Sequence, residues 1–188
     1  MARRRTKPPL IARRPEQSFR QRISRQIETL VGQTVVEWSR VEQVMEEVIW
    51  RLLRVTVDEG RIVTASLDAK YKMNLLRGLG KRHLRGQQHD DLMQVLDHCE
   101  DLLAERNLYS HGQWVTITPD NLPAVISLRE KLPEGISRQE VISITMPADR
   151  MKVVVRNMVI ARNALIELRR ALPVPSPGTP SAPPQPET

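Results

Sequence analysis

Apolar residues recur at three- and four-residue steps through most of this chain. Val35, Trp38, Val41, Val44/Met45, Val48/Ile49 and Leu52/Leu53 form one stripe over five helical turns. A preceding helix over about 18–31 carries Phe19, Ile23, Ile27 and Leu30, and Gly32 offers a break after it. A third helix over about 67–79 turns Met73, Leu75, Leu76 and Leu79 inward. A fourth starts near 88 and buries Leu92, Val95/Leu96, Cys99 and Leu102/Leu103. It ends around 110–111, with Gly112 as its cap. A last helix over about 148–172 carries Met151, Val154/Val155, Met158, Ala161, Leu165 and Leu168.

Between the fourth and last helices the period changes. Segments 114–118, 124–128 and 141–146 are short and β-branched, separated by Pro/Asp/Asn and Pro/Glu/Gly turns. They predict a small antiparallel meander inserted before the last helix. The fold class expected is therefore mainly α: a bundle of about five helices with a β appendage at about 113–146. One domain covers 16–172. Residues 1–15 read as a disordered basic arm. Residues 173–188 hold seven prolines in sixteen positions and read as a tail that cannot pack.

Charge sharpens this division. The net charge of +7 is not spread evenly. Residues 1–25 hold nine Arg/Lys and one acid, so the remaining 20 basic and 21 acidic residues leave the body near neutral. An arm with Arg3, Arg4, Arg5, Arg13 and Arg14 can contact nucleic-acid phosphates by counterion release. The alternative is a solubilising tail with no dedicated ligand.

Composition excludes several classes. Aromatics are 3% of the chain, which suits helix packing by Leu, Val, Ile and Met. The single cysteine, Cys99, excludes an intramolecular disulfide. No apolar stretch suits a signal peptide or a membrane span, and Pro8, Pro9 and Pro15 interrupt any transit-type helix, so a cytoplasmic location is expected. His83, His89 and His98, with Cys99, match no metal-ligand spacing, and no metal or cofactor is expected. Gly78-Leu79-Gly80-Lys81-Arg82 lacks a preceding strand and a full glycine-rich pattern, so it reads as a helix terminus. Trp38 and Trp50 read as core or interface.

The most informative segment is Arg106-Asn107-Leu108-Tyr109-Ser110-His111. A guanidinium grips phosphate with a planar fork of donors. An imidazole exchanges protons near neutral pH. Arg106 and His111 are five apart, about 140° around a helix, so a regular helix does not aim them alike. Arg is long, however, and the helix loosens at Gly112. Asn107 and His111 are four apart and share a face, which lets the amide hold the imidazole or bind substrate.

An Arg-Asn-x-x-x-His pattern late in a bundle helix, followed by Gly and an aromatic residue, resembles the HEPN superfamily (higher eukaryotes and prokaryotes nucleotide-binding). The similarity covers about 18–172. It implies a metal-independent endoribonuclease, working as a homodimer with two motifs across a shared cleft. Many such domains are toxin–antitoxin, phage-defence or RNA-processing components, so RNA and a cognate antitoxin protein are the implied partners. Carried over, His111 serves as general base or acid on the ribose 2′-hydroxyl and the leaving 5′-oxygen. Arg106 holds the scissile phosphate, and Asn107 orients His111 or the substrate. Glu105, Tyr109, Ser110 and Trp114 are the expected substrate lining, with core packing the competing role for Trp114.

Two features depart from the family. A subset of these toxins has a Tyr two residues after the His, and Gln113 stands there instead. The β meander is not part of the minimal bundle. The competing readings are a structural helix-end histidine with Arg106 paired to Glu100, Asp101 or Glu105, and a non-catalytic dimeric module that binds nucleic acid or protein.

Overall fold

The Ser24 hydroxyl accepts from the Ile27 amide and starts the longest element, α1 (Arg25–Leu53). The computed structural model describes residues 19–20, 23–117, 122–131 and 138–174. The arm residues Arg3, Arg4, Arg5, Arg13 and Arg14, and the tail from 175 onward, lie outside the described residues.

Gly32 does not break α1. Ile27, Leu30, Thr34, Trp38, Val41, Met45, Val48 and Leu52 continue one buried stripe across it. Tertiary burial of that stripe outweighs the cost of about 1 kcal/mol for one interior glycine. The two helices expected over 18–31 and 35–53 are thus one. Phe19 is not helical either: β1 (Phe19–Arg20) is extended and pairs with the sheet.

A short helix unanticipated from the periodicity, α2 (Val57–Thr64), follows α1. Its capping box is complete, with Glu59 N donating to the Thr56 hydroxyl and Thr56 N donating to the Glu59 carboxylate. Arg54 ends α1 in the left-handed region at φ 59°. Gly60 packs so closely under Trp50 that an added Cβ would lie 2.4 Å from the indole.

Helix α3 (Ala69–His83) contains Gly78 to Arg82 in its last turns, as a helix terminus rather than a phosphate loop. Met73 and Leu76 are fully buried, whereas Leu75 and Leu79 are only partly so. Lys72 is buried as well, at 6% exposure, held by Glu46 at 2.6 Å and Glu42 at 3.2 Å on α1. Its pKa is raised: burial pulls it down, and the two carboxylates overcome that.

Helices α4 (Gln87–His111) and α5 (Ala148–Ala171) complete the bundle. Met151, Val154, Met158, Ala161 and Leu165 face inward from α5, and Leu92, Leu96, Cys99 and Leu102 from α4. Trp38, at 1% exposure, lies in this core, and α5 packs along α1. Glu37 pairs with Arg162 at 2.6 Å, and Glu47 pairs with Arg169, stapling the two helices.

Between α4 and α5 lie β2 (Gln113–Ile117), β3 (Leu122–Lys131) and β4 (Arg138–Thr145). They form an antiparallel meander, and β1 adds a fourth, edge strand in the order β1-β2-β3-β4. Trp114 is opposite Val125, and Val125 is opposite Ile144. The sheet hangs directly off the motif-bearing end of α4. No helix among the described residues is long and apolar enough to cross a membrane.

Candidate functional site at the end of α4

Helix α4 runs to His111, and the Gly112 amide closes it by donating to the Leu108 carbonyl at 3.0 Å. The last carbonyls of a helix have no partner within it. Here the Trp114 indole N–H reaches back to the Tyr109 carbonyl at 2.9 Å. Its ring lies 6.1 Å from that of Tyr109, at 46°. The first strand residues thereby clamp the helix end that carries the motif.

The side chains of Arg106 and His111 meet despite their angular separation. Arg106 Nη1 lies 3.3 Å from His111 Nε2 and donates to Asn107 Oδ1 at 2.9 Å. The length of the arginine, rather than a kink in α4, bridges the arc. Guanidinium only donates, so this contact is a hydrogen bond when Nε2 carries the lone pair and the proton sits on Nδ1. Asn107 therefore holds Arg106, the other member of the pair; no hydrogen bond from Asn107 to His111 occurs among the described residues. Asn107 and His111 are exposed and Arg106 is half-buried, so the pair is open to a ligand.

Next to the pair on α4 is a second cluster, through Glu105 and Tyr109. The Tyr109 hydroxyl donates to Glu105 Oε2 at 2.5 Å, and Arg150 Nη2 donates to Glu105 Oε1 at 2.7 Å. Tyr109 is 1% exposed, so it belongs to the core rather than lining an open surface. Burial, then the contact with Glu105, pushes its phenol pKa up. The Glu105 carboxylate likewise raises the pKa of Arg150, keeping that group charged. Arg150 comes from the first turn of α5, 45 positions away in sequence, and no local pattern announces it.

Arg106 makes no ion pair among the described residues: Glu105 pairs with Arg150 and Glu100 with Arg77. Arg106 Nε and the Ser110 hydroxyl are buried and have no hydrogen-bond partner among the described residues. No group of three His, Cys, Asp or Glu among the described residues could hold a metal ion.

The fold and this end of α4 define a helical bundle with a small antiparallel sheet, bearing a solvent-accessible Arg–His pair next to a cluster of buried Tyr109, half-buried Glu105 and exposed Arg150. No family model, curated protein or solved structure matches the chain.

Proposed function

We propose that the chain is a metal-independent endoribonuclease of HEPN type, acting through Arg106, Asn107 and His111. The observation that carries this reading is the convergence of Arg106 Nη1 and His111 Nε2 at 3.3 Å on an exposed helix end. Support comes from the residues and the bundle. The homodimer, RNA as substrate, an antitoxin partner and a toxin or phage-defence role follow from the family resemblance.

In the proposed step a substrate phosphate displaces Arg106 from His111 Nε2. The freed lone pair takes the proton of the ribose 2′-hydroxyl. The 2′-oxygen attacks phosphorus, the bond from phosphorus to the 5′-oxygen breaks, and a 2′,3′-cyclic phosphate forms. Arg106 holds the phosphoryl oxygens as charge builds on them. Asn107 keeps the guanidinium in place through Oδ1. A protonated imidazole returns a proton to the 5′-oxygen, and the His111 of a second copy is suited to that role in a two-fold cleft. DNA lacks the nucleophile and is spared.

The test is incubation of the purified protein with mixed single-stranded RNA in excess chelator, beside His111→Ala and Arg106→Ala. Both exposed-end variants are expected to fold and to lose cleavage by about 10²-fold or more. Equal cleavage by His111→Ala would sink the assignment. RNA binding without turnover in every protein assigns the non-catalytic module instead.

A further inference from the structure

A groove of about 510 Å³ lies where the C-terminal ends of α1 and α5 meet the start of α2. Arg150 and Arg169 are 19 residues apart on α5, which places the groove about 28 Å along the helix from the Arg–His pair. Its chemistry comes from Trp50, Arg51, Arg61 and Arg169, with Glu47 as the carboxylate.

Each guanidinium has spare donors. Arg51 Nη1 gives one hydrogen bond, to the Leu172 carbonyl at 2.9 Å. Arg169 pairs with Glu47 through Nη1, and its Nε is buried with no partner among the described residues. Arg61 is exposed and makes no side-chain hydrogen bond or ion pair among the described residues. Three guanidinium groups against one carboxylate leave a net charge of +2. That matches a phosphomonoester, which carries about −1.5 to −2 near pH 7. A carboxylate or an internal phosphodiester, with a single charge, leaves the groove undercompensated.

Trp50, Val55, Val57 and Val174 supply the apolar part of the wall, beside Gln43 and Thr56. Trp50 is held by its indole N–H on Thr64 Oγ1 at 3.2 Å and by Gly60 packed against its ring. Val57 and Val174 also border the groove and are 54% and 72% exposed. A fixed indole beside uncovered valines suits a planar ring, and arginine forks suit phosphate oxygens. The volume falls in the range of small-molecule sites.

We propose that this groove binds a nucleoside monophosphate, its base against Trp50 and the valines and its phosphate under Arg61 and Arg169. The proposal is independent of the ribonuclease reading. It is tested by calorimetric titration of the full chain with adenosine 5′-monophosphate, adenosine and inorganic phosphate. The expected result is saturable binding of the monophosphate, at least tenfold tighter than either fragment. Arg61→Glu, on an exposed face of α2, weakens it tenfold or more with an unchanged melting temperature. His111→Ala leaves it unchanged. A short RNA that competes only when it carries a terminal phosphate identifies a strand end as a source of the same group. No saturable binding at millimolar monophosphate, equal binding of adenosine, or insensitivity to Arg61→Glu overturns the proposal.

Discussion

Gly32→Ala is expected to stabilise the protein. Gly32 is exposed and lies well inside α1, and an added Cβ meets nothing within 4 Å. There is thus no steric term to set against the helix preference of alanine. Glycine in a helix interior costs about 0.5–1 kcal/mol relative to alanine, chiefly through unfolded-chain entropy. For a body of this size 1 kcal/mol is worth about 2–4 °C, so the melting temperature rises by about 1–4 °C. Gly60→Ala is the opposing control. Its Cβ would lie 2.4 Å from the Trp50 ring, and relieving that overlap costs about 1–3 kcal/mol or more. Thermal and urea unfolding followed by circular dichroism measure both. A drop in stability for Gly32→Ala would refute the reasoning, because it would mean that α1 needs a flexible or broken backbone at this position.

Other consequences follow from the same geometry. Lys72 has a raised folded pKa, so its contribution is complete below the ordinary lysine value of about 10.4 and is lost as pH rises through the folded value. Lys72→Met should cost about 1–3 kcal/mol at neutral pH and progressively less in alkali, and a pH-independent difference in urea midpoints would contradict the ion-pair account. Arg54→Gly should add about 0.5–1 kcal/mol by relieving the left-handed cap at φ 59°, read as a higher urea midpoint at unchanged slope. Cys99 is 0% exposed and its thiol pKa is pushed up to about 12 by burial, so alkylation near pH 8 should require denaturant; rapid labelling of the native protein counts against its place in the core.

Much of the bundle is legible without coordinates, because a buried helix face writes itself as a local period. The α4 face through Leu92, Val95, Leu96, Cys99 and Leu102, and the α5 face through Met151, Val154, Met158, Ala161 and Leu165, are both readable this way. The β segments show their own period and turn residues. Helix α2 is missed by periodicity because its eight residues make too short a stripe, and its one local signal is the capping-box pair Thr56 and Glu59. Phe19 misleads for a different reason: an apolar residue one turn before a helix fits the helical period, while its strand pairing with Ile117 depends on a partner 98 positions away.

The chain by itself determined the helical class, the β appendage and the presence of Arg106, Asn107 and His111 at a helix end, since these rest on neighbours within a few turns. Tertiary structure decided what only distant partners can supply. It brought Arg150 of α5 onto Glu105, next to the motif, and buried Lys72 between two α1 carboxylates. It also gathered Trp50, Arg61 and Arg169 around one groove. Such contacts join elements whose separation along the chain carries no period, and only packing the helices fixes which side chains meet.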